Sequence, residues 1–472
     1  MKRTFAFILC FVIASALFVG CNSNSDKTSD KNASSKDHSE VISVTGDGDD
    51  DSFHPSILPP TVNNDYHDDF DPYVSMPDSI KGQTVRYATW VDHNKTIGKR
   101  ALNNIYADIG INVELFMVSE NSYVDKIMTS IASGDIPDAF KTTSGKNGFP
   151  LTLQLAAPIN EVSDVDLNEP IWHKKLNKTA TIDNHVYFVN TISSPWSNSN
   201  IVYYNKKLFE DNNIKTPVEY FEEGDWTWSR MLEVMQKIKN LGSNYVGGCI
   251  DVEVLGSSIG ASFCKYDYKT ATFSSGVNSQ ELLNTYQWYS NAKEQGLIVN
   301  DGFKSFTDGK CGIVITDTNG LLNTGYFKDM DWRDIGFTYL PSSEPDKDAY
   351  VSSNYHLYGI IDGAPHANAA GYFLRYWLDL NNFDVFDTFI SNKAANFYLD
   401  VVYSNPDDMY FNFDGACGAL VGGDGTCDIF NSELKNATAD TVNAKLNAVA
   451  DKVDEAVAKA NQIIADLKKR NQ

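Results

Sequence analysis

The stretch QTVRYATWVDHNKTIGKRALNNIYADIGINVELFMV, residues 83–118, changes its hydrophobic period twice. Gln83 to Trp90 reads as a strand. Ile97, Ala101, Leu102, Ile105 and Ile109 then recur at helical spacing with Gly110 as a stop, and Ile111 to Val118 is strand-like again. Ser119 to Ser122 offer caps for a second helix carrying Val124, Ile127, Met128 and Ile131 on one face and ending at Gly134, after which DIPDAF leads into a third strand. Strand, helix, strand, helix, strand with short connections predicts a parallel, doubly wound α/β sheet. Ligands in such sheets sit beyond the carboxyl ends of the strands. Here that edge comprises Trp90, Asp92 and His93, then Ser119 and Glu120, then Thr142 to Ser144.

A second body begins near Ser194. NIVYY, YVGGCI, KCGIVIT and IGFTYL read as strands, and Trp228, Met231, Leu232, Met235 and Ile238 share one helical face, as do Leu282, Leu283 and Tyr286. YHLYGII is a further strand, followed by a helix opening at Pro365 with Ala369, Tyr372, Phe373, Tyr376 and Trp377 inward. At the end, Val442, Leu446, Val449, Val453, Ala456, Ala460, Ile463 and Leu467 form a heptad seam. In a single helix this predicts docking on the chain's own body in preference to a coiled-coil dimer.

Upstream of residue 83 the chemistry is different. Lys2 and Arg3 precede an apolar run, Phe5 to Val19, too short for an ordinary spanning helix and suited to an export signal. Gly20 and Cys21 resemble the lipobox of bacterial lipoproteins, although Leu17 stands one place early and Phe18 fills its slot. The reading is a signal peptide over 1–20, with Cys21 as the lipidated first residue of the mature chain. Residues 21–80 are poor in apolar side chains and include TGDGDDDS, so they bury too little surface to offset ordering entropy and are expected to be a disordered tether. Its acids with His54 and His67 read as a solvated linker in preference to a metal site.

The formal charge of −23 argues against nucleic acid as a partner, because phosphate neutralisation needs excess Lys and Arg. Beyond Cys10 and Cys21 stand Cys249, Cys264, Cys311, Cys417 and Cys427, an odd set without CxxC spacing. Neither zinc nor a disulfide framework is indicated, with a Cys417–Cys427 pair and buried idle thiols both left open. No cofactor is expected.

IVYYNKKLFEDNNIKTPVEYFEEGDWTWSRMLEVMQKI, residues 201–238, closely resembles a segment of the extracellular solute-binding proteins of ABC importers, in the carbohydrate-binding (maltose-binding-protein-like) family. SIASGDIPDAF, FTDGKCGIVITDTNGLL, DIGFTYLPSSEP and GAPHANAAGYFLRYWLD resemble further family motifs in the same order. One departure is Thr227-Trp228-Ser229-Arg230, which leaves the usual capping box incomplete. The resemblance implies a two-lobed, type II periplasmic-binding-protein-like fold, each lobe a mainly parallel sheet flanked by helices and joined by a hinge. It places the first lobe at 81–193 and 356–395 and the second at 194–355 and 396–472. It also implies a monomeric, non-catalytic protein that passes a carbohydrate to an ABC transporter permease at the outer face of the membrane.

A carbohydrate site needs flat aromatic surface for C–H faces and amide, hydroxyl or carboxylate groups for sugar hydroxyls. The candidate set is Trp90, Asp92, Glu120, Ser144, Trp196, Asn198, Asp317, Asn319 and Tyr355, with His356 read as structural. Trp226, Trp228, Trp288 and Trp377 are assigned to packing, and Trp172 and Trp332 to neither class. Three enzyme-like patterns compete. GSSIG at 256–260 precedes Asp362 and His366 in hydrolase order but lacks a following helix. DVDLN at 164–168 begins like a calcium loop, with Glu169 where Gly is required. A glycosidase needs two carboxylates facing one bond, which 62 acidic residues leave open.

Overall fold

The computed structural model describes residues 76–471 apart from 193, 195–197, 346, 348, 355, 380, 381, 384–387 and 403–408. The expected signal, Cys21 and the tether up to residue 75 therefore lie outside the described residues, as do Trp196 and Tyr355.

Three strands and two helices follow the predicted order: β1 (Thr84–Thr89), α1 (Gly98–Ile109), β2 (Asn112–Met117), α2 (Tyr123–Ser133) and β3 (Ala139–Thr143). Gly110 and Gly134 end the helices at φ of 75° and 80°, a left-handed backbone that disfavours a Cβ. α1 buries Ala101, Ile105 and Ile109 against the sheet. α2 departs from expectation in two ways. Met128 is exposed, and neither Ser119 nor Ser122 caps with its side chain. The single turn Glu120–Ser122 leads straight into the helix, with the Tyr123 N–H already bonded to the Glu120 carbonyl.

The first sheet runs in the order β2, β1, β3, His356–Ile361, Ala156–Ala157, with Phe188–Val189 also paired to His356–Ile361. β1 is parallel to β2 and β3, whereas His356–Ile361 is antiparallel to all three of its partners. The second sheet runs Met409–Phe411, Val351–Asn354, Asn198–Asn205, Cys311–Asp317, Val246–Ile250, with Ile335–Thr338 also paired to Asn198–Asn205. Only its two end pairs are parallel. Both sheets are thus mixed, where mainly parallel sheets were expected. Parallel pairing requires a crossover on the same sheet, and His356–Ile361 instead follows directly on Val351–Asn354 of the other sheet.

Behind the first sheet, Ala367–Trp377 packs Phe373 and Trp377 on Tyr87, and Trp377 is fully buried. In the second body Trp228–Lys239 buries Trp228, Met231, Met235 and Ile238. Thr227 accepts from the Arg230 N–H at 3.1 Å, while the Arg230 side chain turns back to Asp225, so one half of the capping box is made. The C-terminal helix Val442–Arg470 buries Val442, Leu446, Val453, Ala456, Ala460, Ile464 and Leu467, using its seam within its own chain. It bonds to a separate hairpin, Cys264–Asp267 with Thr272–Ser275, and to the first sheet. Asn461 exchanges two bonds with the Phe273 backbone at 2.7 and 2.9 Å, and Arg470 donates to the Ala156 carbonyl at 2.8 Å. The helix Asn392–Val402 runs through the boundary expected near residue 395.

Candidate functional site

Trp90 follows the last residue of β1 and is half-buried at the strand-end edge. Its ring stands edge-on to Tyr123, with centroids 4.8 Å apart. The Tyr123 hydroxyl donates to the Ala88 carbonyl at 2.8 Å and accepts from the Lys141 N–H at 3.1 Å, which joins β1, α2 and β3 beneath the tryptophan. Lys141 Nζ lies 3.7 Å from the centre of the Trp90 ring, so one face of this candidate platform is already occupied. Burial lowers the Lys141 pKa to about 8, and the charge of Glu120 opposes that shift.

Of the other candidates on this edge, Asp92 and Ser144 are partly buried like Trp90, and Glu120 is exposed. Asp92 accepts from the Asn94 N–H at 3.2 Å and pairs with Lys95 at 2.8 Å, a contact that lowers its pKa. Glu120 is exposed, and its carbonyl accepts from Asn147 Nδ2 at 2.9 Å. Ser144 directly follows β3 and is partly buried. His356 lies opposite Thr143 in the antiparallel register, and its Nδ1 is enclosed with no hydrogen-bond partner. His93 belongs instead to the core. It stacks on Tyr87, meets Trp377 edge-on at 4.9 Å, and burial holds its pKa down to about 3.

The second sheet contributes an amide- and carboxylate-rich edge. Asn198 opens its strand, with its carbonyl accepting from Ser353 Oγ at 3.3 Å, and Asn200 Nδ2 donates to Ser352 Oγ at 3.0 Å. Asp317 closes the neighbouring strand. Its carboxylate accepts from the Asn319 N–H at 2.9 Å and the Tyr326 hydroxyl at 3.1 Å, while burial raises its pKa. Asn319 is half-buried in the following turn. The two crossings between the sheets are tied together where Asn190 Nδ2 donates to the His356 carbonyl at 2.7 Å.

Trp90, Asp92, Glu120 and Ser144 therefore share one edge, and Asn198, Asp317 and Asn319 the other. Sequence reasoning missed Lys141 and Tyr326. A lysine within the buried run AFKTT was the available signal for the first, whereas Tyr326 carries no pattern of its own. In the fold, two of these patterns, the hydrolase-like set and the calcium-like loop, are taken up by other contacts. Ser258 donates to the Leu255 carbonyl and accepts from Trp228 Nε1, Asp362 meets Arg470, and His366 meets Asp138. Asp166 caps its own turn through the Asn168 N–H, and Glu169 pairs with Arg375 at 2.8 Å. Cys417 and Cys427 are separate buried thiols, as are Cys249, Cys264 and Cys311. Trp172 is a core residue donating to the Asp166 carbonyl at 2.8 Å, and Trp332 is exposed. Among the described residues no cluster of His, Cys, Asp and Glu is arranged to hold a metal ion, and no helix is long and apolar enough to cross a membrane.

The architecture is similar to that of several solved proteins. A cyclic α-maltosyl-1,6-maltose-binding protein from Arthrobacter globiformis aligns with a TM-score of 0.58 at 14% identity, over 82% of this chain and 100% of that one. The sugar-binding protein MalE of Xanthomonas citri gives 0.58 at 15%, over 81% and 99%. An extracellular solute-binding protein from Staphylococcus aureus, solved with maltose, gives 0.57 at 16%, over 83% and 99%. At these identities the likeness establishes a shared type II periplasmic-binding-protein-like fold. No curated protein sequence matches the chain. Residues 101–390 match the profile of the bacterial extracellular solute-binding proteins, and the chain belongs to that family.

Proposed function

We propose that this protein captures an extracellular carbohydrate, an oligosaccharide, and delivers it to an ABC transporter permease without chemical change. What supports this reading is that one strand-end edge is aromatic at Trp90 and another is rich in hydrogen-bonding groups at Asp317, Asn319 and Tyr326, in a chain whose two sheets are joined by crossings tied at Asn190 and His356. That is the combination of ring surface and directional groups a sugar requires. The structural relatives whose names or bound ligands are sugars support the same class. In this reading 81–193 and 356–395 form one lobe and 194–355 and 396–472 the other. Trp196 and Tyr355, at the crossings, complete the candidate site.

A thermal-shift screen of the purified protein against mono- and oligosaccharides tests the assignment. A saccharide at a hundred times its dissociation constant adds about 2.7 kcal/mol of stability. A midpoint that ignores every saccharide and responds to a peptide or polyamine would replace sugar with another solute. Hydrolysis of a bound oligosaccharide would replace transport with a glycoside-binding hydrolase.

We further infer that diacylglycerol on Cys21 anchors the chain, two acyl chains meeting the requirement for stable attachment. The acidic segment 21–80 then acts as the tether. Cys21→Ala is expected to abolish incorporation of labelled lipid, and undiminished labelling would refute the anchor.

A further inference from the structure

Two cations are buried in the first body, and they are treated differently. The Arg375 guanidinium, 3% exposed, meets Glu169 at 2.8 Å and Asp379 at 3.4 Å. Lys141 is 6% exposed in a strand whose neighbours Ala139, Phe140 and Thr142 are buried. Among the described residues its ammonium forms no ion pair and no hydrogen bond, and it lies 3.7 Å from the centre of the Trp90 ring. An enclosed charge without a counter-charge costs several kcal/mol, of which a desolvated cation–π contact returns about 2. Arg375 is thus a structural cation, whereas Lys141 keeps a deficit that the folded chain does not cancel.

The surroundings sharpen this. His356 and Tyr358 follow the same register beside Thr143 and Lys141. Burial, and then the Lys141 charge, push the His356 pKa down to about 3, which leaves a neutral imidazole whose enclosed Nδ1 lacks a partner. Glu120, whose charge acts on Lys141 from a distance, is exposed and forms no ion pair with it among the described residues, and Asp92 is engaged by Lys95. The deficit lies at the carboxyl end of β3, where this fold receives ligand.

We propose that Lys141, beside Trp90 and His356, forms a subsite for an anionic group on the bound saccharide, so that the ligand is an acidic sugar bearing a carboxylate or a sulfate ester. This rests on the reading of the protein as saccharide-binding. The flexible four-carbon stem lets the ammonium exchange the tryptophan face for the anion, freeing ring surface for the sugar. The formal charge of −23 repels acidic sugars at long range, so selection lies in the site and not in steering.

Titration calorimetry of the purified protein at pH 7 decides it, using galacturonic acid oligomers of two to four units, neutral galactose oligomers of the same lengths, and sulfated disaccharides. Wild type is expected to prefer one acidic series over the neutral one by about tenfold or more, the scale of a single charge-assisted hydrogen bond. Which series wins separates carboxylate from sulfate ester. Lys141→Met should remove the preference, and Lys141→Arg, which retains the charge should the first variant fold poorly, should keep most of it. Neutral sugars binding as well as acidic ones, or a preference that survives Lys141→Met, would overturn the anionic subsite while leaving the carbohydrate assignment standing. Failure of every saccharide, neutral and acidic, would sink both.

Discussion

At the end of Cys311–Asp317 the carboxylate of Asp317 is supplied with two donors from its own turn, the Asn319 N–H and the Tyr326 hydroxyl. Near the end of β3 the ammonium of Lys141 faces the Trp90 ring without an ion pair or hydrogen bond, and the Nδ1 of His356 has no hydrogen-bond partner, among the described residues. The Asp317 carboxylate is thus satisfied within its own edge, where only the Ser199 and Thr318 hydroxyls are enclosed without a partner among the described residues, whereas the other edge leaves a buried cation unpaired. Buried polar groups are ordinarily hydrogen-bonded, so in the proposed function an enclosed exception at a candidate edge marks where outside chemistry is awaited. The satisfied edge can offer remaining lone pairs and donors to sugar hydroxyls without reorganising. The incomplete edge gains most when something binds.

The largest expected effect tests what supports the incomplete edge. Trp377 packs against Tyr87, His93 and Phe373 behind it, and Trp377→Ala should cost about 3 to 5 kcal/mol in urea unfolding. A loss below about 1 kcal/mol would mean that the edge does not lean on this core.

A smaller effect isolates Lys141. Its folded pKa of about 8 lies below the ordinary 10.5, so between those values the folded chain binds fewer protons than the unfolded chain. Stability contributed by this group should therefore rise as pH increases from 8 to 10.5, by at most about 3 kcal/mol. The increment is read as wild type minus Lys141→Met in unfolding at pH 7.5 and 10.5. Parallel pH profiles for the two proteins would show that the ammonium carries no deficit.

The smallest effect belongs to the satisfied edge. Tyr326→Phe removes one donor from Asp317 and should lower stability by about 0.5 to 1.5 kcal/mol. It should also raise the Asp317 pKa further, visible by carboxylate NMR titration. An unchanged pKa would show that the hydroxyl does not stabilise the carboxylate.

Much of this fold was legible because local patterns carry it. The alternation of Thr84–Thr89, Gly98–Ile109 and Asn112–Met117, with glycines at both helix ends, needs no tertiary information. Strand direction was less accessible, since His356–Ile361 pairs with β3 from more than two hundred residues away and nothing in its own sequence states its orientation. At the candidate site, Trp90, Asp317 and Asn319 were readable as polar or aromatic groups at or just beyond strand ends. Lys141 was not sought, because a lysine within a strand is ordinarily assigned to solvent, and only the fold reveals that its stem is enclosed and its charge unpaired. Tyr326 becomes relevant through a turn that returns it to Asp317, a tertiary event with no sequence period.

In the proposed function one solute is held by both edges at once. Amide hydrogen exchange of the purified protein, with and without the saccharide that gives the greatest stabilisation, tests it most directly. Slowed exchange is expected in 88–93 and 139–145 together with 317–326, with protection in all three rising over the same ligand dose. Protection confined to one edge, or appearing only on segments remote from both, would contradict it.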